Sequence, residues 1–211
     1  MSELKDLERW TFRETRDDGL LDIMLAAFAS MFALAPVLSE PLGDFWSSAI
    51  FGPIWYATYL AIRFLRSNVI IPRVGTVEPG SDRRKRMRRV AIALWVVNLT
   101  ALGIGFAAAN GLWSDWLDLS GVVYPISLGL AALIGLSLSA YALSVWRYAV
   151  YALLVAVAPL FGEWMWQRDL ADHHGFPVAF GSVALIMLLT GLLRFASLVR
   201  KHPLPSDPVP G

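Results

Sequence analysis

The sequence predicts an all-α integral membrane protein, specifically a bundle of six transmembrane helices with both termini in the cytoplasm. Three observations predict this class: an apolar composition, a series of long hydrophobic runs, and a one-sided distribution of basic residues. Of the 211 residues, 56% are hydrophobic and 17% are charged, and the mean hydropathy is +0.54. Soluble domains of this length contain more charge and fewer apolar residues.

Six apolar runs approach the length that a helix needs to cross the hydrocarbon core of a bilayer, which is roughly 20 residues. None alternates polar and apolar residues as a membrane barrel strand would. The fifth run is short and contains Pro159, so it is the weakest of the set. The predicted spans cover residues 19–38, 45–62, 90–109, 121–143, 148–164 and 176–199.

The basic residues predict the orientation, because cytoplasmic segments of membrane proteins are enriched in Lys and Arg. With the N-terminus inside, Arg168 is the one residue among 18 Lys and Arg that falls outside the cytoplasmic segments and the inner span ends. The opposite orientation would carry the whole basic loop 63–89 across the membrane. We therefore predict that both termini are cytoplasmic.

The segments flanking the bundle are polar. Residues 1–18 have mixed charge, and Leu4, Leu7 and Trp10 recur every three residues, which predicts a short amphipathic helix on the inner leaflet. No short apolar core with a cleavage site is present there, so the first span is predicted to be an uncleaved anchor. The tail 200–211 is rich in proline and lacks apolar periodicity, so it is predicted to be disordered.

A run of basic residues precedes the third span. It predicts contact with anionic lipid headgroups, at about 1 kcal/mol for each cation near the surface. No aromatic residue is interleaved in the run, so we do not expect a nucleic-acid partner. The predicted lipid contacts are Arg83, Arg84, Lys85, Arg86, Arg88 and Arg89.

Asp22 is the carboxylate that the apolar pattern places inside the first span. A charge at a helix centre in a membrane costs roughly 2.5–3.5 kcal/mol, and less near an end. We therefore predict that Asp22 faces the bundle interior and pairs with an arginine at the cytoplasmic end of another span, in a structural role. The candidate partners are Arg63, Arg66, Arg73 and Arg194.

Polar residues in other spans suggest a path through the bundle. Asn98 and Thr100 lie in the third span, and Glu163 lies at the end of the fifth. A lone asparagine in a span also commonly bonds a neighbouring helix, and that reading stays open. No carboxylate lies near the midplane, which argues against proton-driven transport but not against a passive channel.

The outer loop after the fifth span has the composition of a metal site, since Asp172, His173 and His174 are adjacent. The spacing is unfavourable, because adjacent residues on a helix point about 100° apart. A polar loop with an interfacial tryptophan anchor is therefore the favoured explanation of the segment, and these residues are weak candidates for metal ligands. We predict no cofactor, and the chain has no cysteine for a thiolate site.

Small residues recur every four positions in the fourth span. Such stripes permit close approach of helices in membranes, within one chain or between copies. The stripe consists of Ser127, Ala131, Gly135 and Ser139, and it predicts tight packing along this face.

Two segments carry a resemblance to a known group. One is Asp18-Gly19-Leu20-Leu21-Asp22 at the start of the first span, and the other is Pro72-Arg73-Val74-Gly75 in the loop 63–89. Together they resemble a group of small bacterial multi-pass membrane proteins for which no activity is known. The likeness covers residues 1–90, with Thr76 where the group has tyrosine. It implies a bacterial cytoplasmic (inner) membrane location, and it implies no activity.

The loop that carries the second segment is rich in β-prone residues, which Pro72 interrupts. We expect it to form a short hairpin-like excursion at the inner surface.

Three functions remain open from the sequence. The leading one is a non-enzymatic scaffold or subunit of a membrane assembly, acting as a homo-oligomer or with another membrane protein. The second is a small channel or transporter, and the third is a metal-dependent membrane enzyme.

Overall fold

The computed structural model describes residues 18–75, 81–109, 120–143 and 145–203. These residues are helical almost throughout, and no strand occurs among them. Three helical segments are long and apolar enough to cross a membrane, namely Leu20–Gly43, Arg147–Trp166 and His173–Lys201. This confirms the helical, membrane-type class, and it includes the fifth predicted span, which was the weakest from sequence.

Seven α-helices are seen in the described part of the chain. A π-helical turn, Arg66–Ile70, joins the second and third, and a 3-10 turn, His173–Gly175, precedes the last. The helices are α1 Leu20–Ala49, α2 Phe51–Leu65, α3 Ile71–Val74, α4 Ser81–Ala109, α5 Ser120–Leu143, α6 Arg147–Trp166 and α7 Phe176–Lys201.

The first helix runs beyond the predicted boundary at residue 38. It includes Pro36 and Pro41, and its backbone leaves helical geometry only at Gly43, with φ 76° and ψ 162°. Prolines are tolerated in membrane helices because neighbouring groups satisfy the freed carbonyls. The chain then turns at Ile50, so α2 begins later than the predicted start at residue 45.

The core lies between α1, α6 and α7, the three helices that contain the membrane-type segments. On α1, Ala26, Ala29 and Ala33 form a buried face at helical spacing. Larger side chains of the other two helices, such as Tyr148 and Phe180, fill the space against it. Small residues on one helix let the backbones approach closely, which suits packing in a membrane. α5 packs against α6, and α4 packs chiefly against α5.

The close approach of α5 to α6 occurs at Gly129, which the predicted small-residue stripe did not include. A Cβ added at Gly129 would lie 2.7 Å from the Ala156 carbonyl oxygen. A Cβ at Gly135 would meet only the Leu94 side chain, at 3.5 Å. The prediction of tight packing along the stripe is therefore wrong at Gly135.

The segment that was predicted to form a hairpin-like excursion is helical as far as Val74. Its Ile70 is buried with Leu20 and Leu198 in a second apolar cluster that joins α1 and α7. Pro72 lies in the first turn of α3, where its missing N–H is not needed. Burial of one side of the segment thus overrides its β propensity.

The predicted N-terminal amphipathic helix lies within residues 1–17, outside the described residues. Residues 204–211 of the predicted disordered tail also lie outside them. Arg200 and Lys201, which were assigned to that tail, form the last turn of α7.

Candidate functional site

The start of α1 is built from the Asp18-Gly19 pair. The Asp18 carboxylate accepts a hydrogen bond from the Leu20 backbone N–H at 3.0 Å, which satisfies one of the free donors of the first turn. Gly19 has a left-handed φ of 76° and packs on the backbone of Gly191 in α7. A Cβ at Gly191 would lie 2.8 Å from the Gly19 carbonyl oxygen. Glycine is therefore needed on both sides of this contact.

One turn further, Asp22 forms a buried ion pair with Arg147 at the start of α6. The Arg147 Nε donates to Asp22 Oδ1 at 3.0 Å, and Nη2 lies 2.9 Å from Oδ2. Asp22 is fully buried and Arg147 is 6% exposed. The pair thus combines one charge-assisted hydrogen bond, which adds geometric specificity, with a second close contact between the charges.

Tyrosines and a second arginine surround this pair. The Arg147 Nη2 also donates to the Tyr148 hydroxyl at 3.2 Å, and the Tyr151 ring packs near the Tyr148 ring with centroids 6.0 Å apart. Arg194 of α7 adds an electrostatic attraction to Asp22. The carboxylate thus faces positive charge from two helices.

Asp18 is also paired. Its Oδ2 lies 2.7 Å from Nη2 of Arg66, the first residue of the π-helical turn after α2. The Asp18 side chain is fully buried, whereas the Arg66 side chain is 39% exposed. We refer to Asp18, Asp22, Arg66, Arg147 and Arg194 as the ion-pair cluster.

The ion-pair cluster differs from the prediction in the partner of Asp22. The close contact comes from Arg147, which was not among the four candidates. Of those four, Arg66 contacts Asp18 instead, and Arg194 acts on Asp22 electrostatically. Arg63 is exposed, and Arg73 donates to the Val69 carbonyl at 2.7 Å within its own helical segment.

Arg147 was missed because its position was assigned to the short connection between the fourth and fifth spans. The chain leaves α5 and enters α6 almost at once, with Val145 already buried in the core. The first residue of α6 is therefore inside the bundle. An arginine at the inner end of an adjacent span was the signal available in the sequence.

Chemically, the ion-pair cluster is suited to fixing helix positions. It joins the start of α1, the turn after α2, the start of α6 and the C-terminal half of α7. Buried pairs of this kind are costly to break on one side, because an uncompensated charge is left behind. Neither aspartate lines the large cavity described next.

An apolar cavity of about 1200 Å³ lies between α1, α2, α5 and α7, with Leu94 as the contribution of α4. Aromatic side chains form much of its wall, and Phe28 stacks on Trp55 there with centroids 4.8 Å apart. All four residues of the predicted stripe line it, namely Ser127, Ala131, Gly135 and Ser139. The stripe thus faces open space within the bundle.

The predicted lipid-binding run begins α4. Arg84, Lys85, Arg88 and Arg89 are exposed, and the side chain of Arg83 lies outside the described residues. Arg86 differs from them, because its guanidinium lies 3.6 Å from the Tyr141 ring centroid and donates to the Tyr141 carbonyl. This contact fixes the start of α4 against the end of α5.

Of the predicted polar path, Thr100 and Glu163 are not brought together. Thr100 is exposed on α4, and the side chain of Asn98 lies outside the described residues. Glu163 instead accepts a hydrogen bond from Gln167 at 3.2 Å and pairs with His174. Neither Thr100 nor Glu163 lines the cavity.

The two histidines of the loop between α6 and α7 contact different carboxylates. His173 Nε2 lies 3.5 Å from Glu40 on α1, and His174 Nδ1 lies 3.0 Å from Glu163 on α6. Asp172 is exposed. Within the described ranges, no three such side chains are grouped as metal ligands would be. The arrangement fastens the loop to α1 and α6.

Fold and site together define a helical membrane protein with a buried ion-pair cluster at one end of the bundle and an apolar cavity beside it. Comparison of the chain with protein-family models, with curated protein sequences and with solved structures gave no match. Function must therefore be argued from the molecule itself.

Proposed function

We propose that this protein is a non-enzymatic subunit or scaffold of a bacterial inner-membrane assembly, crossing the membrane six times with both termini in the cytoplasm. In this proposal α2, α4 and α5 supply the second, third and fourth spans. Residues 45–62 of the predicted second span are helical apart from the turn at Ile50, and 18 residues at 1.5 Å each give about 27 Å. That length is close to a hydrocarbon core of about 30 Å.

The observation that carries the subunit proposal is the surface of α4. This 29-residue helix packs chiefly against α5. Its outward side has a stripe of large apolar side chains at spacings of three and four, each 55–70% exposed: Ile92, Trp95, Val96 and Leu99. Residues at these spacings share one helix face and form the usual contact surface between helices. We assign this face, the α4 stripe, to a second copy of the chain or another membrane protein.

The ion-pair cluster supports a structural role over a transport role. Its two aspartates are fully buried and held by arginines, so neither is open to a permeating ion. A scaffold needs fixed helix positions, and the cluster provides them at the end of the bundle that we assign to the cytoplasm.

The orientation is supported by the basic residues that the structure describes. The start of α4 and the last turn of α7 are basic, and we assign both to the cytoplasmic side, where anionic headgroups attract them. Arg168, which we assign to the outer side, lies 5.2 Å from the Trp164 ring centroid. Arginine over tryptophan is a favourable interfacial contact that needs no carboxylate.

Site-specific photo-crosslinking in native membranes tests the subunit proposal. A photoreactive residue at Trp95 is expected to give protein adducts of one or a few discrete masses. The same residue at Leu193, which is 71% exposed on α7, serves as the matched control and is expected to give mainly lipid adducts. Two differently tagged copies then distinguish self-association from another partner. Equal, purely lipid labelling at both positions would exclude the subunit proposal.

Cysteine labelling tests the orientation, since the chain contains no cysteine of its own. Ser67→Cys, exposed after α2, should be protected from a membrane-impermeant thiol reagent until the membrane is permeabilised. Gln167→Cys, exposed after α6, should react in intact cells. Labelling of Ser67→Cys from outside would reverse the orientation.

A further inference from the structure

We propose that the apolar cavity holds an acyl chain of an anionic phospholipid, whose phosphate is bound by Arg63 and Arg86. This inference goes beyond the subunit role, and it rests on the placement of α2 and α5 in the membrane under Proposed function. It rests on the shape of the cavity, on its length, and on the charges at one of its ends.

The chemistry of the cavity wall favours hydrocarbon over water. The lining side chains are mostly alanine, leucine, methionine and aromatic residues. A water molecule in a buried site needs two to four polar partners, and the hydroxyls of Thr58, Ser127 and Ser139 are spread over different helices and turns. Thr58 and Ser139 also donate their hydroxyl hydrogens to carbonyls of their own helices. The other polar side chains of the wall are Trp55, whose indole N–H is buried without a hydrogen-bond partner among the described residues, and Tyr56 and Tyr59. Most of the wall therefore offers no hydrogen-bond partner to water.

The size of the cavity suits a lipid better than a small metabolite. Its volume of about 1200 Å³ exceeds the roughly 300–1,000 Å³ of ordinary ligand pockets. From Ser127 to Ser139 it follows α5 for twelve residues, which is about 18 Å of helix. One leaflet of bilayer hydrocarbon is about 15 Å thick, half of the whole core. A single acyl chain therefore matches the length of the cavity.

The cavity is also placed where a lipid can enter. One wall is α2, which packs mainly on α1. The facing wall is α5, which packs mainly on α6 and α4. α2 and α5 thus pack on different helices, and with both helices placed in the membrane we assign the gap between them to the side that faces the bilayer. The surrounding solvent at this depth is lipid, so an acyl chain needs no passage through water.

Positive charge lies beyond one end of the cavity. Arg63 follows the lining residues Tyr56 and Tyr59 by seven and four positions, so it shares their face of α2, one turn nearer the helix end. Arg86 precedes Leu94 by eight positions on α4 and reaches the Tyr141 backbone beside Ser139. Both arginines therefore lie past the same end of the cavity.

Both arginines have guanidinium N–H donors that are not engaged with other described residues. The Arg63 side chain is exposed, and it makes no ion pair or hydrogen bond with any described residue. Arg86 uses one donor on the Tyr141 carbonyl, out of the five that a guanidinium carries. Guanidinium groups frequently bind phosphate in a bidentate manner, through two parallel N–H···O hydrogen bonds. The charge at this end selects an anionic headgroup over a neutral or zwitterionic one.

Native mass spectrometry of the full chain tests the proposal. The protein is reconstituted in nanodiscs of equal parts phosphatidylglycerol and phosphatidylethanolamine, then extracted into a delipidating detergent. We expect retained phosphatidylglycerol on the native protein, and its loss from the double variant Ala131→Leu with Gly135→Leu, which fills the cavity. Ile134→Phe, on the exposed side of the same helix, is the matched control and should retain the lipid.

The headgroup is tested separately. Arg63→Gln combined with Arg86→Gln should lower the ratio of phosphatidylglycerol to phosphatidylethanolamine retained by about tenfold, as expected for loss of charge-assisted contacts. Retention of lipid at the native level by the cavity-filled variant would overturn the proposal. Retention of both lipids in the ratio of the nanodisc by the native protein would also overturn it.

A measurement on the native fold covers the case in which the filled variant fails to assemble. Lipids brominated on the acyl chain quench tryptophan fluorescence on contact. The difference between native protein and Trp55→Phe reports on Trp55, which lines the cavity. We expect brominated phosphatidylglycerol to quench this signal more than brominated phosphatidylethanolamine. Equal quenching by the two lipids would contradict selective occupation.

Discussion

Breaking the Asp22–Arg147 pair on one side should destabilise the protein far more than removing both charges. Asp22 is fully buried, and Arg147 is 6% exposed. Removing one partner of such a pair typically costs about 3–5 kcal/mol, whereas replacing both by neutral groups is often close to neutral. We therefore expect Asp22→Asn and Arg147→Met each to cost about 3–5 kcal/mol, and the double variant to cost less than either.

The assay is thermal unfolding in detergent micelles, followed by a double-mutant cycle. For a chain of this size, 1 kcal/mol shifts Tm by about 2–4 °C, so each single variant should lower Tm by roughly 6–20 °C. Arg168→Met, exposed beside Trp164, is the control and should change stability by less than about 0.5 kcal/mol. Additive effects of the two single variants, to within about 0.5 kcal/mol, would refute the coupling.

Three further predictions concern close contacts. Gly129→Ala should lower stability by about 1–3 kcal/mol in the same unfolding assay, because its methyl meets backbone. Gly135→Ala should instead raise stability by about 0.5–1 kcal/mol, because glycine is a poor helix former and the methyl meets only the Leu94 side chain, at ordinary contact distance. Gly19→Ala should cost more than about 1–2 kcal/mol, since it adds a clash to a left-handed backbone; a native Tm would contradict the packing of α1 on α7. Glu163→Gln should leave global stability within about 1 kcal/mol but speed amide exchange around His174, and unchanged exchange would show that this pair does not hold the loop.

The membrane class was predictable from the sequence because it depends on composition and on the length of apolar runs. The boundaries of the individual helices were less predictable. The end of the first span was placed before Pro41, yet the helix continues to Gly43, because backbone geometry changes at the glycine and not at the proline. Likewise, the run around Ile70 reads as β-prone, and its helical form depends on contacts with Leu20 and Leu198 that lie far away in the sequence.

The candidate site could be predicted only in part, for a related reason. The burial of a charged residue at the start of α1 follows from local hydropathy, since Asp22 lies inside an apolar run. The ion-pair partner of Asp22 depends on which helices pack against the start of α1. In the core these helices are α6 and α7. The stripe around Gly135 illustrates the same limit. Spacing shows which residues share a face, but a helix must be present opposite that face before the residues pack tightly.

The Asp22–Arg147 pair has a consequence for how the protein is made. The two residues are 125 positions apart, and at about 5–20 residues per second the partner of Asp22 is synthesised roughly 6–25 s later. During that interval the nascent first helix carries a carboxylate whose buried partner does not yet exist. We expect chains that end before Arg147 to stay in contact with the insertion machinery or to be degraded. Completion of α6 would then be the event that releases the N-terminal half into the bilayer.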